Sequence, residues 1–162
     1  MLEMIIFVTV MIVTLVTSVA VAINKRKKIG ELLKAGLVRK RDYGYANKGE
    51  AFTSNVGSAK NVAAMLCRLG VNCAISGDAA REVTFKGKYF TARLFLNSFD
   101  PATGRAVYGF NFTSYKTQKY VYKDEIGMNM LLTAIEKMFF TLDRNTTVSQ
   151  YNVKYKTRYS IF

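Results

Sequence analysis

The sequence predicts an α+β protein: a single N-terminal transmembrane helix followed by a small antiparallel sheet domain with helices packed on one face. Three observations predict it. Met4 to Ile23 is a run of twenty residues without a charge. From Val71 onward most apolar residues recur at period two, between short turns. Two segments, after Ser58 and after Asp124, instead carry apolar residues at helical spacing. Strands joined by short turns pair antiparallel, and helices then cover one face of their sheet. The expected divisions are residues 1–24 as anchor, 25–57 as a basic juxtamembrane helix and linker, and 58–162 as the α+β domain.

The apolar run comes first. Twenty helical residues at about 1.5 Å each cover about 30 Å, the thickness of bilayer hydrocarbon. A cleaved signal peptide has a cationic start and a shorter apolar stretch. Here the flank before the run holds Glu3 and no Lys or Arg, although Val19-Ala20-Val21-Ala22 has the small residues of a cleavage site. A buried core helix would show a polar face, and this run shows none. Retention as an anchor is the expectation. Thr14, Thr17 and Ser18 are expected to pack or hydrogen-bond against another helix.

Charge sets the expected orientation. All 24 Lys and Arg lie after Ile23, beginning with Lys25, Arg26, Lys27 and Lys28. Such a flank stays in the cytoplasm. The N-terminus is therefore expected outside and the remaining domain cytoplasmic. The sequons at Asn111 and Asn145 would then carry no glycan.

The next segment, KKIGELLKAGLVRKRD, repeats apolar residues at helical spacing among Lys34, Arg39, Lys40 and Arg41. It is read as a short basic amphipathic helix on the membrane surface. DYGYANKGEAFTSNVGS has little periodicity and three glycines, and is read as a linker. Ser58 is the expected N-cap of the helix AKNVAAMLCRLG.

Strands follow. VNCAIS is a short strand, GDAA a turn, and REVTF-KG-KYFTARLFLN a hairpin reversing near Lys86 and Gly87. In its second arm Phe90, Ala92, Leu94 and Leu96 share one face. SFDPATGR is a turn, and AVYGFNFTSY aligns Tyr108, Phe110 and Phe112. Asp124 caps a helix over EIGMNMLLTAIEKMFFTL, whose apolar stripe includes Leu131, Ile135 and Phe139. The last stretch, TVSQYNVKYKTRYSIF, alternates throughout and reads as one long strand.

The chemistry is sparse. The chain has no His, which removes the commonest acid–base residue and metal ligand. Cys67 and Cys73 fit no CxxC pattern. Asp124 and Glu125 suit a helix start without a reaction. No enzymatic activity, cofactor, metal or small-molecule substrate is expected.

The net charge of +13 points instead to an anionic partner. Lys25, Arg26, Lys27, Lys28, Arg39, Lys40 and Arg41 are the expected contacts to anionic membrane lipid or an acidic partner. Lys154, Lys156 and Arg158 on the last strand, with Lys86, Lys88 and Arg93, are the candidates for nucleic acid or a partner strand. The leading expectation is a structural or accessory subunit of a membrane complex or membrane-containing virus particle, bound to other protein subunits. A membrane-tethered nucleic-acid-binding protein is the alternative, and a pilin-like filament subunit a lesser one.

Overall fold

The computed structural model describes residues 2–42, 44–118, 121–153 and 157–161. The chain forms two compact units, Met1–Val38 and Arg39–Phe162.

The first unit is one helix, α1 (Leu2–Lys34). Among the described residues it is the one helix long and apolar enough to cross a membrane, and its apolar window is 0% buried. Its hydroxyls are satisfied within the helix. Thr14 donates to the Val10 carbonyl at 2.6 Å, Thr17 to Val13 at 2.9 Å and Ser18 to Thr14 at 2.7 Å. These bonds return each hydroxyl to α1's own backbone one turn earlier.

No separate juxtamembrane helix forms, contrary to expectation. Lys25–Lys28 and the first Ile-Gly-Glu-Leu-Leu turns continue α1. Gly36 ends it. Its φ of 65° is left-handed, with Leu37 N–H donating to Leu32 O and Gly36 N–H to Leu33 O. That pair of bonds is a Schellman cap, which favours glycine.

The second unit is an α+β domain. A 3-10 turn (Tyr45–Asn47) leads to β1 (Lys48–Asn55), then α2 (Ala59–Leu66), β2 (Ala74–Asp78), β3 (Glu82–Lys86), β4 (Phe90–Asp100) and β5 (Arg105–Gln118). β6 (Val121–Tyr122), α3 (Glu125–Leu142), β7 (Thr147–Asn152) and β8 (Thr157–Ile161) complete it. The sheet order is β2-β3-β4-β5-β1-β7, with β6 and β8 also on β5. All pairings are antiparallel except β5 with β8, which is parallel.

Three sequence expectations are corrected. Residues 42–58 are no linker, because β1 lies inside the sheet between β5 and β7. The sheet unit accordingly begins at Arg39 instead of Ser58. The C-terminal stretch is no single strand, since β7 pairs with β1 and β8 with β5. Ser58 occupies the N-cap of α2 but makes no side-chain capping bond.

The hairpin and the final helix follow the sequence closely. Phe90, Ala92 and Leu94 of β4 are buried with Tyr108, Phe110, Phe112 and Tyr115 of β5. α3 lays Met128, Leu131, Ile135 and Phe139 onto this face. Phe139 stacks on Phe52 of β1 with centroids 4.7 Å apart and also meets Tyr108 at 5.4 Å. Asp124 caps α3 by accepting from Gly127 N–H at 3.1 Å.

The opposite face of the sheet carries Arg93, Phe95, Gly109 and Asn111 in register. The Phe95 ring lies where a Cβ on residue 109 would sit, so only glycine fits there. Arg93 stacks over Phe95 at 4.7 Å and donates from Nε to Asn111 Oδ1 at 3.1 Å. Asn111 is thereby 1% exposed. Its sequon is closed to glycosylation in the folded state, whichever side of a membrane it occupies.

Phe139→Ala should lower stability by about 3–5 kcal/mol, since it empties a fully buried ring site. Urea denaturation of the detergent-solubilised chain measures this. Asp124→Ala should cost about 1 kcal/mol by loss of the cap, read in the same denaturation curves.

Candidate anion-binding site

The cations of the domain fall into two groups: those held by acids and those left facing solvent. Arg41 belongs to the first. It sits at the start of the sheet unit with a side chain 10% exposed. Its NH2 lies 3.0 Å from Glu136 Oε2 of α3, and its NH1 3.6 Å from Glu50 Oε1 of β1. NH1 also donates to Glu136 Oε1 at 3.1 Å. Asn129 and Thr133 accept further bonds from Nε and NH2. The guanidinium thus ties the entering chain to both α3 and β1.

Its neighbour Arg39 pairs with Glu136 Oε2 at 3.0 Å. The Asn129 amide brackets the Arg39 backbone, accepting its N–H at 3.0 Å and donating to its carbonyl at 2.8 Å.

Two carboxylates converge on this one guanidinium. Glu50 Oε2 is buried without a hydrogen-bond partner, and buried Glu136 Oε2 is met by the guanidinium groups of Arg39 and Arg41, each at 3.0 Å. Burial, and then the neighbouring Glu136 charge, push the Glu50 carboxyl up to about 7, with Arg41 pulling the other way. A proton on Glu50 gives it a donor for the carboxylate beside it. Burial likewise raises the Tyr45 hydroxyl, which lies beside this cluster with Arg41 5.7 Å from its ring centroid.

The second group is spread over the domain surface, and four of its members, all lysines, gather at the β3–β4 turn. Lys86 ends β3, Lys88 lies in the turn, Lys116 comes from β5, and Lys123 lies between β6 and α3. Backbone bonds lock these segments together. Gly87 N–H donates to Phe90 O at 3.0 Å, Lys116 N–H to Tyr89 O at 2.9 Å and Lys123 N–H to Lys116 O at 3.0 Å.

Lys86, Lys88 and Lys116 line one depression of about 140 Å³, together with Thr91 and Ser114. No carboxylate lines it. The ring of Tyr89 carries two ammonium groups, Lys88 at 5.3 Å and Lys123 at 4.7 Å from its centroid. Among the described residues none of these four lysines forms an ion pair. Positive charge gathered around a depression that no carboxylate lines is an arrangement that attracts an oxyanion.

The residues singled out from sequence divide between these groups. Lys25, Arg26, Lys27 and Lys28 are exposed on α1, and Lys40 is exposed at the start of the sheet unit. Arg41 is engaged inside the domain, and Arg39 pairs with Glu136, so neither is an unoccupied surface cation. Lys86 and Lys88 share the depression, but Arg93 does not join them. It pairs with Glu82 at 3.3 Å and lies over Phe95. Lys154 and Lys156 lie outside the described residues, and Arg158 belongs to β8.

Sequence reading missed Lys116, Lys123 and Tyr89, which only the fold brings beside the turn. It also missed Glu50 and Glu136. A signal for the latter existed: Asn129, Thr133 and Glu136 repeat at helical spacing as a polar stripe on an otherwise apolar helix. No protein-family model, curated protein or solved structure matches the chain.

Arg41→Leu should destabilise the domain by about 3–5 kcal/mol, because it strands the buried Glu50 carboxyl and leaves buried Glu136 with Arg39 alone. Glu50 binds its proton more tightly folded than unfolded. Its stabilising contribution is therefore complete below pH 4.5 and is lost as pH rises through about 7. Glu50→Gln keeps the shape of the protonated form. It should flatten the fall in stability between about pH 5 and about pH 8, seen in thermal melts across that range.

Proposed function

We propose that this is a non-enzymatic, single-pass membrane protein, a structural or accessory subunit of a membrane-associated assembly. Its N-terminus lies outside, and its basic α+β domain lies in the cytoplasm, where it binds an anionic partner. One observation carries the reading. An uncharged helical run is followed at once by a cluster of cations, with Lys25 to Lys28 as its immediate flank. An uncovered apolar helix suits hydrocarbon, and the positive-inside rule then sets the side of the domain. Lys25, Arg26, Lys27, Lys28 and Lys40 supply a cationic collar for anionic lipid or an acidic subunit, each worth about 1 kcal/mol near such a surface.

Nucleic-acid tethering is the second reading, favoured by the lysines around Tyr89. The two part on a salt series. The full chain in nonionic detergent is titrated with single-stranded and duplex DNA and RNA. Several phosphate contacts give a steep loss of affinity with rising salt. No binding at low salt removes this second reading.

For the leading reading, the full chain is expressed in cells and sealed vesicles of known orientation are treated with protease. Residues beyond the anchor should be cut only from the cytoplasmic side. Cleavage from the outer side only would sink the topology. Gentle solubilisation should recover the chain with other protein subunits, and a monomer recovered alone would count against the assembly role.

A further inference from the structure

The collar and the lysine depression differ in what they can bind. Successive residues of a helix point about 100° apart, so Lys25 to Lys28 fan around α1 and cannot close on one group. They suit a diffuse anionic surface. Lys86, Lys88 and Lys116 instead line a single depression of about 140 Å³, floored by bonded backbone and edged by Thr91 and Ser114. We propose that this depression seats the phosphate of an anionic lipid head group, with Lys123 adding a fourth cation across Tyr89. The inference rests on the membrane-anchored reading above and assigns one lipid contact within it.

The chemistry selects the ligand. Three ammonium groups and two hydroxyls are donors to oxygen, and no carboxylate opposes them. A tetrahedral oxyanion accepts several such donors at once, which a single carboxylate does less well. The size of the depression suits one phosphate group, not a run of them. Nucleic acid would need in addition an aromatic face on which a base could stack. The Tyr89 ring is already engaged by Lys88 and Lys123. A half-buried tyrosine bordered by lysines is also a composition found at head-group level. Anchoring the chain keeps head groups at high effective concentration, so even a weak single-phosphate site is occupied.

The test is a lysine-acetylation footprint of the full chain in lipid nanodiscs, read by mass spectrometry. Discs contain phosphatidylcholine alone or with phosphatidylglycerol. The anionic lipid should slow acetylation of Lys86, Lys88, Lys116 and Lys123 by about fivefold each, while Lys60 and Lys137 stay unchanged. A triple variant, Lys86→Gln with Lys88→Gln and Lys116→Gln, should abolish the protection of Lys123 and leave that of Lys25, Lys27 and Lys28 intact.

Protection of the collar without the depression would overturn the inference and leave the broader reading standing. Protection of neither would overturn the inference together with the lipid role of the collar. A single-stranded oligonucleotide that protects the depression in neutral discs, where phosphatidylglycerol does not, would overturn the lipid assignment in favour of nucleic acid.

Discussion

A guanidinium taken out of water must be met by acids, and Arg41 is met by two. Glu136 on α3 and Glu50 on β1 approach it from different elements, so the position of each constrains the other. The contact spans 95 residues of sequence between Arg41 and Glu136. Such a cluster adds little net stability over a well-packed apolar one, but an incorrect register would leave charges buried and unpaired. It therefore disfavours misplaced alternatives for α3, β1 and the chain entering at Arg39. Asn129 and Thr133 complete the shell, which is why α3 is covered on a polar side as well as an apolar one.

The apolar side of α3 depends on that placement. Phe139 reaches both Phe52 and Tyr108 from one point on the helix, bridging β1 and β5. The remaining rings interlock edge to face, as in Phe110 with Phe112 at 5.3 Å and Phe90 with Phe112 at 5.8 Å. On the opposite sheet face Arg93, Phe95 and Asn111 cover themselves, with Gly109 making room. Three arginines are consequently consumed in structure: Arg39, Arg41 and Arg93. The exposed cations of the collar and of the β3–β4 turn are mainly lysines. Those two clusters differ in geometry and hence in what they can hold.

Several elements were legible because their burial is apolar and periodic. The β3–β4 hairpin alternates cleanly, α3 has an apolar stripe with an acidic cap, and α1 holds the uncharged run Met4 to Ile23. β1 was not legible for the opposite reason. Its inward positions are Glu50, Phe52 and Ser54, only one of them apolar. The two polar ones are buried because distant groups satisfy them: Arg41 meets Glu50, and Thr146 donates to Ser54 at 2.9 Å. No local pattern encodes partners so far away. The C-terminal stretch misled in another way. Alternation states that a segment is extended, but it carries no information about which strand it joins, and here β7 and β8 join different ones.

The sequence by itself determined the class of the fold, the apolar helix with its cationic flank, the strongest hairpin and the capped final helix. Each follows from local periodicity or local charge, which need no knowledge of the rest of the chain. Only the tertiary structure decided which cations are internal and which are available, and that Lys116 and Lys123 join Lys86 and Lys88. The reason is physical: a charge becomes a ligand site or a structural clamp according to what lies within a few ångströms of it. In this domain those neighbours are supplied by strand pairing and helix packing across long separations in sequence.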